Sequence, residues 1–252
     1  MPDERIAEVA GNVFLVRGTD VNWVLLRDGT DVTMIDSGWA GDTRAVERSV
    51  RALGARPQDV RAILLTHAHI DHMGGVNHFR ERYGTPLYTD ALEVPHAHRE
   101  RLEQAGPSDV IKNLWRPGVL AWAARVARVG ALKGVAAQHA APFPAPGPLD
   151  LPGRPTPVAT HGHTSGHTAF HLPDAGAVVT GDGLVTGHAA TRFDGPHLLG
   201  PMFNHSQTDA LAALDALEQL PGDLVLPGHG PVHRGPIAAA VALARERADA
   251  RS

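Results

Sequence analysis

The sequence predicts a layered α/β protein. Three observations carry that expectation: short apolar runs of strand length alternate with segments of helical spacing, Gly, Asp and Asn punctuate them, and several runs end on a His or an Asp. At 252 residues, 43% hydrophobic and 20% charged, the chain is long enough for an ordinary buried core.

The elements follow in order. "NVFLVRG", "NWVLLRDG" and "DVTMIDSG" read as consecutive strands joined by tight turns. Asp42 to Gly54 reads as a helix, with Ala45, Val46, Val50 and Leu53 near helical spacing, Asp42 as N-cap and Gly54 as the stop. "AILLT" is a buried strand ending at Thr66. In the second half "TPVATHGHTSGH" leads from Val158 into His161, His163 and His167, "GAVVTGDG" stops at Asp182, and "DLVLPGHG" stops at His229. Ser206 to Leu220 predicts one helix, with Ser206 and Asp209 as a capping pair and Leu211, Leu214, Leu217 and Leu220 facing the sheet. A last amphipathic helix is expected within Pro236 to Ala250.

Between the halves, Asp90 to Pro148 differs in character. It is helical in pattern on both sides of Pro117 and then runs into a Pro- and Ala-rich loop, so it reads as an insertion. Trp115 and Trp122, with Leu114, Val119 and Leu120, either line an apolar pocket over the strand ends or pack as an ordinary helical hairpin.

Composition removes several functions. A net charge of -4 with scattered Lys and Arg leaves no basic face for a nucleic-acid backbone. The absence of cysteine excludes disulfides and thiolate ligands, so a metal here must take imidazole and carboxylate. No stretch reaches the roughly 18 apolar residues of a membrane span, and the acidic start "MPDERIAEVAGNVFLVRG" lacks a signal peptide's apolar core. A cytoplasmic protein with no membrane partner is the expectation.

The chemistry concentrates in "LLTHAHIDHMGG", where His67, His69, Asp71 and His72 crowd the end of an apolar run. Singly, His229 after a Pro-Gly turn reads as a surface residue, Asp182 as a turn or cap residue, and His163 as one histidine of a polar loop. Together with the crowded motif they make seven nitrogen and oxygen donors delivered at strand ends, enough for two adjacent metals sharing a carboxylate and a water. Such a pair lowers the pKa of the shared water and polarises a carbonyl or phosphoryl oxygen, so hydrolysis is its natural use. His96, His98, His139, His197 and His233 match no motif and are expected in solvent. His161, His171, His188 and His205 lie near the motifs without belonging to them, and His188 follows Asp182 closely enough to reach a substrate.

In order and spacing, "THAHIDH", "GHTSGH", "TGD" and "PGHG" resemble the metal-binding signature of the metallo-β-lactamase superfamily, and "MIDSG" around Asp36 is similar to its early strand-end Asp. The resemblance covers nearly the whole chain. It implies a four-layer αββα sandwich, one domain over residues 1–252 with a helical, lid-like insertion at about 90–148. It also implies two divalent metal ions, one held by His67, His69 and His163, the other by Asp71, His72 and His229, with Asp182 bridging and with Asp36 and His167 orienting the ligands. Zinc is the first expectation; the same donors accept iron or manganese.

Departures from the family's branches narrow the substrate. Its true β-lactamases lack the bridging Asp and some use Cys, whereas this chain has Asp182 and no Cys. Glyoxalase II carries a further C-terminal helical domain, and this chain ends at Ser252, soon after His229. Nuclease members bring basic surfaces or added arms. The N-acyl homoserine lactonase branch matches best in length and ligands, yet its Tyr after the bridging Asp has no counterpart in "GDGLVTGHAATRF". The expectation is a dinuclear hydrolase acting through a metal-bridging hydroxide on a lactone, ester or thioester with an apolar portion, with Asp71 and Asp182 catalytic and Asp71 or water moving the proton. The alternatives are a mononuclear iron persulfide-dioxygenase-like oxidoreductase, with His69 or its neighbours, His163 and Asp182 as ligands, and a β-lactam or phosphodiester hydrolase. A metal-binding protein without catalysis is disfavoured because every ligand position is filled.

Overall fold

The structure, a computed structural model, describes residues 5–249. In chain order, β1 (Ile6–Ala10), β2 (Val13–Arg17), β3 (Asn22–Asp28) and β4 (Asp31–Ile35) form an antiparallel meander. Next come α1 (Thr43–Ala52), β5 (Val60–Leu64), α2 (Val76–Tyr83), β6 (Leu87–Thr89), α3 (Val94–Ala97), α4 (Pro107–Lys112), α5 (Val119–Arg128) and β7 (Ala140–Pro142). The second half holds β8 (Thr156–Ala159), β9 (Thr168–Leu172), β10 (Ala177–Gly181), α6 (Gln207–Ala212), α7 (Leu214–Glu218), β11 (Leu224–Pro227), β12 (His233–Arg234) and α8 (Ile237–Asp249). Strands β1 to β7 make one sheet in sequence order, and a second sheet runs β12-β11-β10-β9-β8.

Alternation along the strands builds the layers. Val24 and Leu26 of β3, with Ile35 and Leu64, face the second sheet and meet Phe170, Val179 and Leu226. Trp23 and Leu25, one residue out of phase, face the other way and pack with Met34 and Ile63 against Val46 and Val50 of α1 and Phe79 of α2. Val178 and Val225, on the outer face of the second sheet, pack on Leu214, Leu217, Ile237 and Val241 of the C-terminal helices. Both faces of the central strands are thus covered, which is why they read as continuous apolar runs. A wholly buried Phe79 or Phe170 contributes roughly 1.5–3 kcal/mol. The result is the four-layer αββα arrangement. No helix among the described residues is long and apolar enough to cross a membrane.

Several local expectations need correction. The helix expected over Ser206 to Leu220 breaks at Ala213 into α6 and α7, where Ala216 N–H bonds the Ala213 carbonyl three residues back. Leucines at a strict spacing of three match the tighter three-residue turn better than an α-helix, and the tightening keeps Leu214 and Leu217 inward. Ser206 caps α6 as expected, its hydroxyl accepting from Asp209 N–H. The expected end of the last helix, Ala250, lies outside the described residues. Asp42 stands at the start of α1, but its carboxylate accepts from the hydroxyl and N–H of Thr19 instead of capping the helix.

The segment 90–148 is helical in α3 to α5, yet β7 adds a parallel edge strand beside β6. Trp122 is buried with Val119 and Val126 against Trp39, whereas Trp115 is 75% exposed. Gly118, at φ +87°, turns the chain between them, so the two indoles do not share a helical face. His96 and His197 are buried, not solvated. His96 Nδ1 lies 3.0 Å from the Glu93 carboxylate, and His197 Nδ1 donates to the Gly195 carbonyl at 2.7 Å.

Candidate metal centre

Parallel pairing sets the site. β4 and β5 run parallel, as do β10 and β11, so Asp36, the 67–72 loop, Asp182 and His229 all leave strands at one edge of the two sheets. The loop between β8 and β9 brings His163 to the same place, and Thr168 N–H bonds the Thr66 carbonyl at 2.8 Å across the sheets. Two groups result: His67, His69, His163 and Asp182, and beside them Asp71, His72 and His229, each with its donor atoms within 4.8 Å of one another. Asp182 lies between them. Its Oδ2 is 3.5 Å from His163 Nε2 and 3.1 Å from His229 Nε2, and its Oδ1 is 3.4 Å from His72 Nε2.

Hydrogen bonds on the far side of each ring fix which nitrogen faces inward. His69 Nε2 donates to the Glu103 carbonyl (2.7 Å), His229 Nδ1 to the Asp20 carbonyl (2.6 Å), and His72 Nδ1 to Asp36 Oδ2 (2.8 Å). His163 Nδ1 donates to Asn204 Oδ1 (2.8 Å), whose amide NH2 is turned to Leu199 and Gln207. The Thr66 hydroxyl donates to Asp36, so it accepts from His67 Nδ1 at 3.0 Å. Neutral rings pinned this way present five lone pairs to the centre. Three of them nearly touch, with His163 Nε2 only 3.2 Å from His67 Nε2 and 3.1 Å from His69 Nδ1. Lone pairs at that separation repel unless a cation lies among them. The buried His72 Nε2 and Asp182 Oδ1 have no hydrogen-bond partner, which in a folded protein marks a missing ion or proton. The donor set therefore fits divalent metal ions of the zinc, iron and manganese kind.

Electrostatics divide the groups. Burial pushes His67, His69 and His163 down from the usual histidine range, and the crowding of one imidazole by another adds to the push at His67 and His69. Burial acts the same way on His72 and His229, but Asp182, with Asp36 or Asp71, overrides it and raises both. Burial would raise Asp182, yet His229 and His72 hold it well below the usual carboxylate range.

Supporting residues complete the site. Asp36, expected to orient ligands, sits at φ +62° and accepts from Thr66 N–H, the Thr66 hydroxyl and His72. His167 accepts the backbone N–H groups of Asp182 and Gly183 at 3.1 and 3.2 Å while its Nδ1 faces the Thr160 hydroxyl, so it holds the Asp182 turn. At Gly228 a Cβ would stand 2.3 Å from Asp182 Oδ1, so only glycine lets this backbone approach the carboxylate.

Sequence reasoning missed five residues. Glu93, fully buried, accepts from Ala68 N–H, Gly166 N–H, the Thr164 hydroxyl and His96, tying the two histidine loops together. Glu103 supplies the carbonyl under His69 and binds Ser165 with its carboxylate. Asn204 supports His163. Asn22 donates its side-chain amide to the Pro227 and Gly230 carbonyls, gripping the loop that carries His229. Asp20 gives His229 its carbonyl and forks its carboxylate to Arg125 of α5 at 2.7 and 2.9 Å. None belongs to a spaced motif. The isolated polar residue beside a strand or helix is the only signal each leaves.

A cavity of about 400 Å³ opens above the centre. Asp71, Asp182, His69 and His229 form its floor, and Trp39, Val110, Trp122, Val126, Leu199 and Phe203 are among its apolar walls. His188 lines it beside His229, pushed down to about 3 by the enclosing walls and by that neighbour. Trp115 lies outside, in a separate surface groove with Arg116 and Phe193.

Known proteins are similar to this chain. Residues 16–229 match the profile of the metallo-beta-lactamase superfamily. The probable metallo-hydrolase YflN of Bacillus subtilis (strain 168) is 24% identical over 78% of this chain and 74% of its own length. A hydroxyacylglutathione hydrolase of Jannaschia sp. (strain CCS1) is 32% identical over 71% of this chain, an alignment covering 51% of that enzyme. For the probable metallo-hydrolase YybB of the same Bacillus the match is shorter, 30% identity over 35% of this chain and 42% of the relative. Among solved structures, the metallo-beta-lactamase family protein TTHA1429 of Thermus thermophilus superposes with a TM-score of 0.68 at 22% identity, covering 97% of this chain and 81% of that one, which shows the shared fold. The profile runs from β2 through His229, the last of the strand-end donors, and the chain is therefore a member of the metallo-beta-lactamase superfamily.

Proposed function

We propose that this protein hydrolyses an uncharged lactone, ester or thioester bearing an apolar acyl group, using two divalent metal ions, zinc first among them. One observation carries the reading: an apolar cavity stands over two adjacent ligand groups, and among the described residues no Lys or Arg lines it. His67, His69 and His163 would hold one ion and Asp71, His72 and His229 the other, with Asp182 common to both. When bound, the ions supply a hydroxide nucleophile at neutral pH and a positive field for the developing oxyanion.

The chain's own residues do the rest. The apolar walls bury the acyl group and exclude water, at roughly 25 cal/mol per Å² of apolar surface covered. Asp71, the least buried of the seven donors, reaches the cavity and carries the proton to the leaving oxygen or sulfur. His167 keeps Asp182 in place by accepting its backbone N–H. Relatives named hydroxyacylglutathione hydrolases favour a thioester, but glutathione and β-lactam antibiotics both carry carboxylates. A buried carboxylate without a cationic partner is costly, so the lining favours neutral substrates. The completeness of the second donor group speaks for two ions over a mononuclear iron oxygenase.

The test is acid release by zinc-loaded protein from acyl lactones, aryl esters, acyl thioesters, hydroxyacylglutathione, β-lactams and phosphodiesters. Neutral acyl substrates are expected to turn over fastest. A preference for the anionic compounds overturns the substrate reading, and silence across the panel overturns the hydrolase.

A further inference from the structure

Two polar side chains of the cavity, Gln104 and His188, are unused by the chemistry above, and of these His188 is the one held as a donor. His188 Nδ1 accepts the backbone N–H of Ala190 at 3.1 Å, which places the proton of the neutral ring on Nε2. That N–H has no partner among the described residues, on a side chain that lines the cavity with Asp71, Asp182 and His229. The ring is also held. It meets His229 edge-on at 5.0 Å between centroids, Phe203 at 5.0 Å and Trp122 at 5.4 Å. A fixed, unsatisfied donor beside the ligand groups is the form that stabilisation of a transition-state oxyanion takes, because it needs no reorganisation when charge develops.

We infer that His188 is a catalytic residue that donates its Nε2–H to the carbonyl oxygen of the bound substrate. The assignment rests on the hydrolase reading. As the nucleophile adds to the carbonyl carbon, the C=O π pair moves onto oxygen and the hydrogen bond shortens. When the pair returns, the bond to the leaving oxygen or sulfur breaks. His188 keeps its proton throughout, so it acts as a hydrogen-bond donor and Asp71 remains the proton carrier. Its neighbours suit this task, since the Trp122 and Phe203 rings pack edge-on against the imidazole and fix its plane.

The experiment uses zinc-loaded wild type, His188→Phe, which keeps a flat ring and loses the donor, and His188→Gln, which keeps a donor. The readouts are kcat and KM on the neutral acyl substrate the wild type prefers, bound zinc, and binding of an acyl phosphonate as a tetrahedral mimic against a planar acyl amide. Phe is expected to lower kcat about 100-fold with zinc content unchanged and phosphonate affinity reduced more than amide affinity, and Gln to restore part of each loss. Nitrogen-15 spectra of histidine-labelled, metal-free protein should show His188 as the Nε2–H form. Undiminished turnover in His188→Phe, equal losses of amide and phosphonate binding, loss of zinc, or the opposite tautomer overturns the assignment while leaving the hydrolase intact. No turnover by the wild type removes both, and so separates the two failures.

Discussion

The two donor groups lie side by side but are built on opposite electrostatics. His67, His69 and His163 are buried neutral rings whose outward N–H groups rest on Thr66, Glu103 and Asn204. His72 and His229 face carboxylates that raise them above the usual histidine range. The first group therefore gives up protons readily and the second holds them more tightly. A cation entering the second group competes with protons more than one entering the first. The lesson is that two sites of similar composition can differ in pH dependence because of where their acids sit.

The sharpest way to break the comparison is Asp182→Asn, since that carboxylate touches both groups. Turnover is expected to fall more than about 100-fold, beyond the cost of losing a supporting hydrogen bond, and bound metal to fall in both groups by elemental analysis. Asp36→Asn keeps a residue that tolerates φ +62° but removes the charge under His72. Metal affinity should drop about 10–100-fold in the second group and much less in the first, read by competition with a chromophoric chelator.

The pH dependence sharpens it further. The folded-state pKa values of His67, His69 and His163 lie below the unfolded value near 6.5. As pH falls through that value, the unfolded chain takes up protons that the folded one refuses, and stability is lost. His72 and His229 are raised, so their contribution is complete below the same value and fades as pH rises through their folded values. Metal-free protein should therefore melt lower on acidification below pH 6.5, each depressed histidine costing up to about 1.4 kcal/mol per pH unit, or roughly 3–6 °C of Tm. A flat or rising Tm between pH 6.5 and 5 would contradict the neutral-ring account. Raising pH from 5.5 to 7.5 should fill the second group after the first in a metal titration. The smallest effect separates the tryptophans: Trp122→Ala should raise KM for acyl substrates several-fold, and Trp115→Ala should leave it unchanged.

What could be read from sequence follows from how information is packed along the chain. The seven donors were legible because they sit in contiguous motifs immediately after apolar strands, and Asp36 because it ends one. Glu93, Glu103 and Asn22 were not, because each reaches the site from a distant segment and bears no spacing to any donor. His96 looked like a surface histidine because nothing in the local sequence shows that it and Glu93, three residues before it, are buried together. Edge strands β1 and β7 escaped for a different reason: "IAEVA" is largely exposed and "AAP" is three residues long, so neither carries a core pattern. Trp115 and Trp122, seven apart, would share a face of one continuous helix, and Pro117 with Gly118 is what separates them.

The Arg125–Asp20 fork also bears on timing. It joins α5, a wall of the cavity, to the residue whose carbonyl fixes His229, and its side chains remain 45% and 24% exposed. A pair so placed is worth less than about 1 kcal/mol and weakens as salt rises. On the proposed hydrolysis, a product that leaves past α5 would pass a contact that dissolved ions loosen. The residence time of product should thus shorten with ionic strength, which makes the rhythm of turnover a property of the solution as well as of the fold.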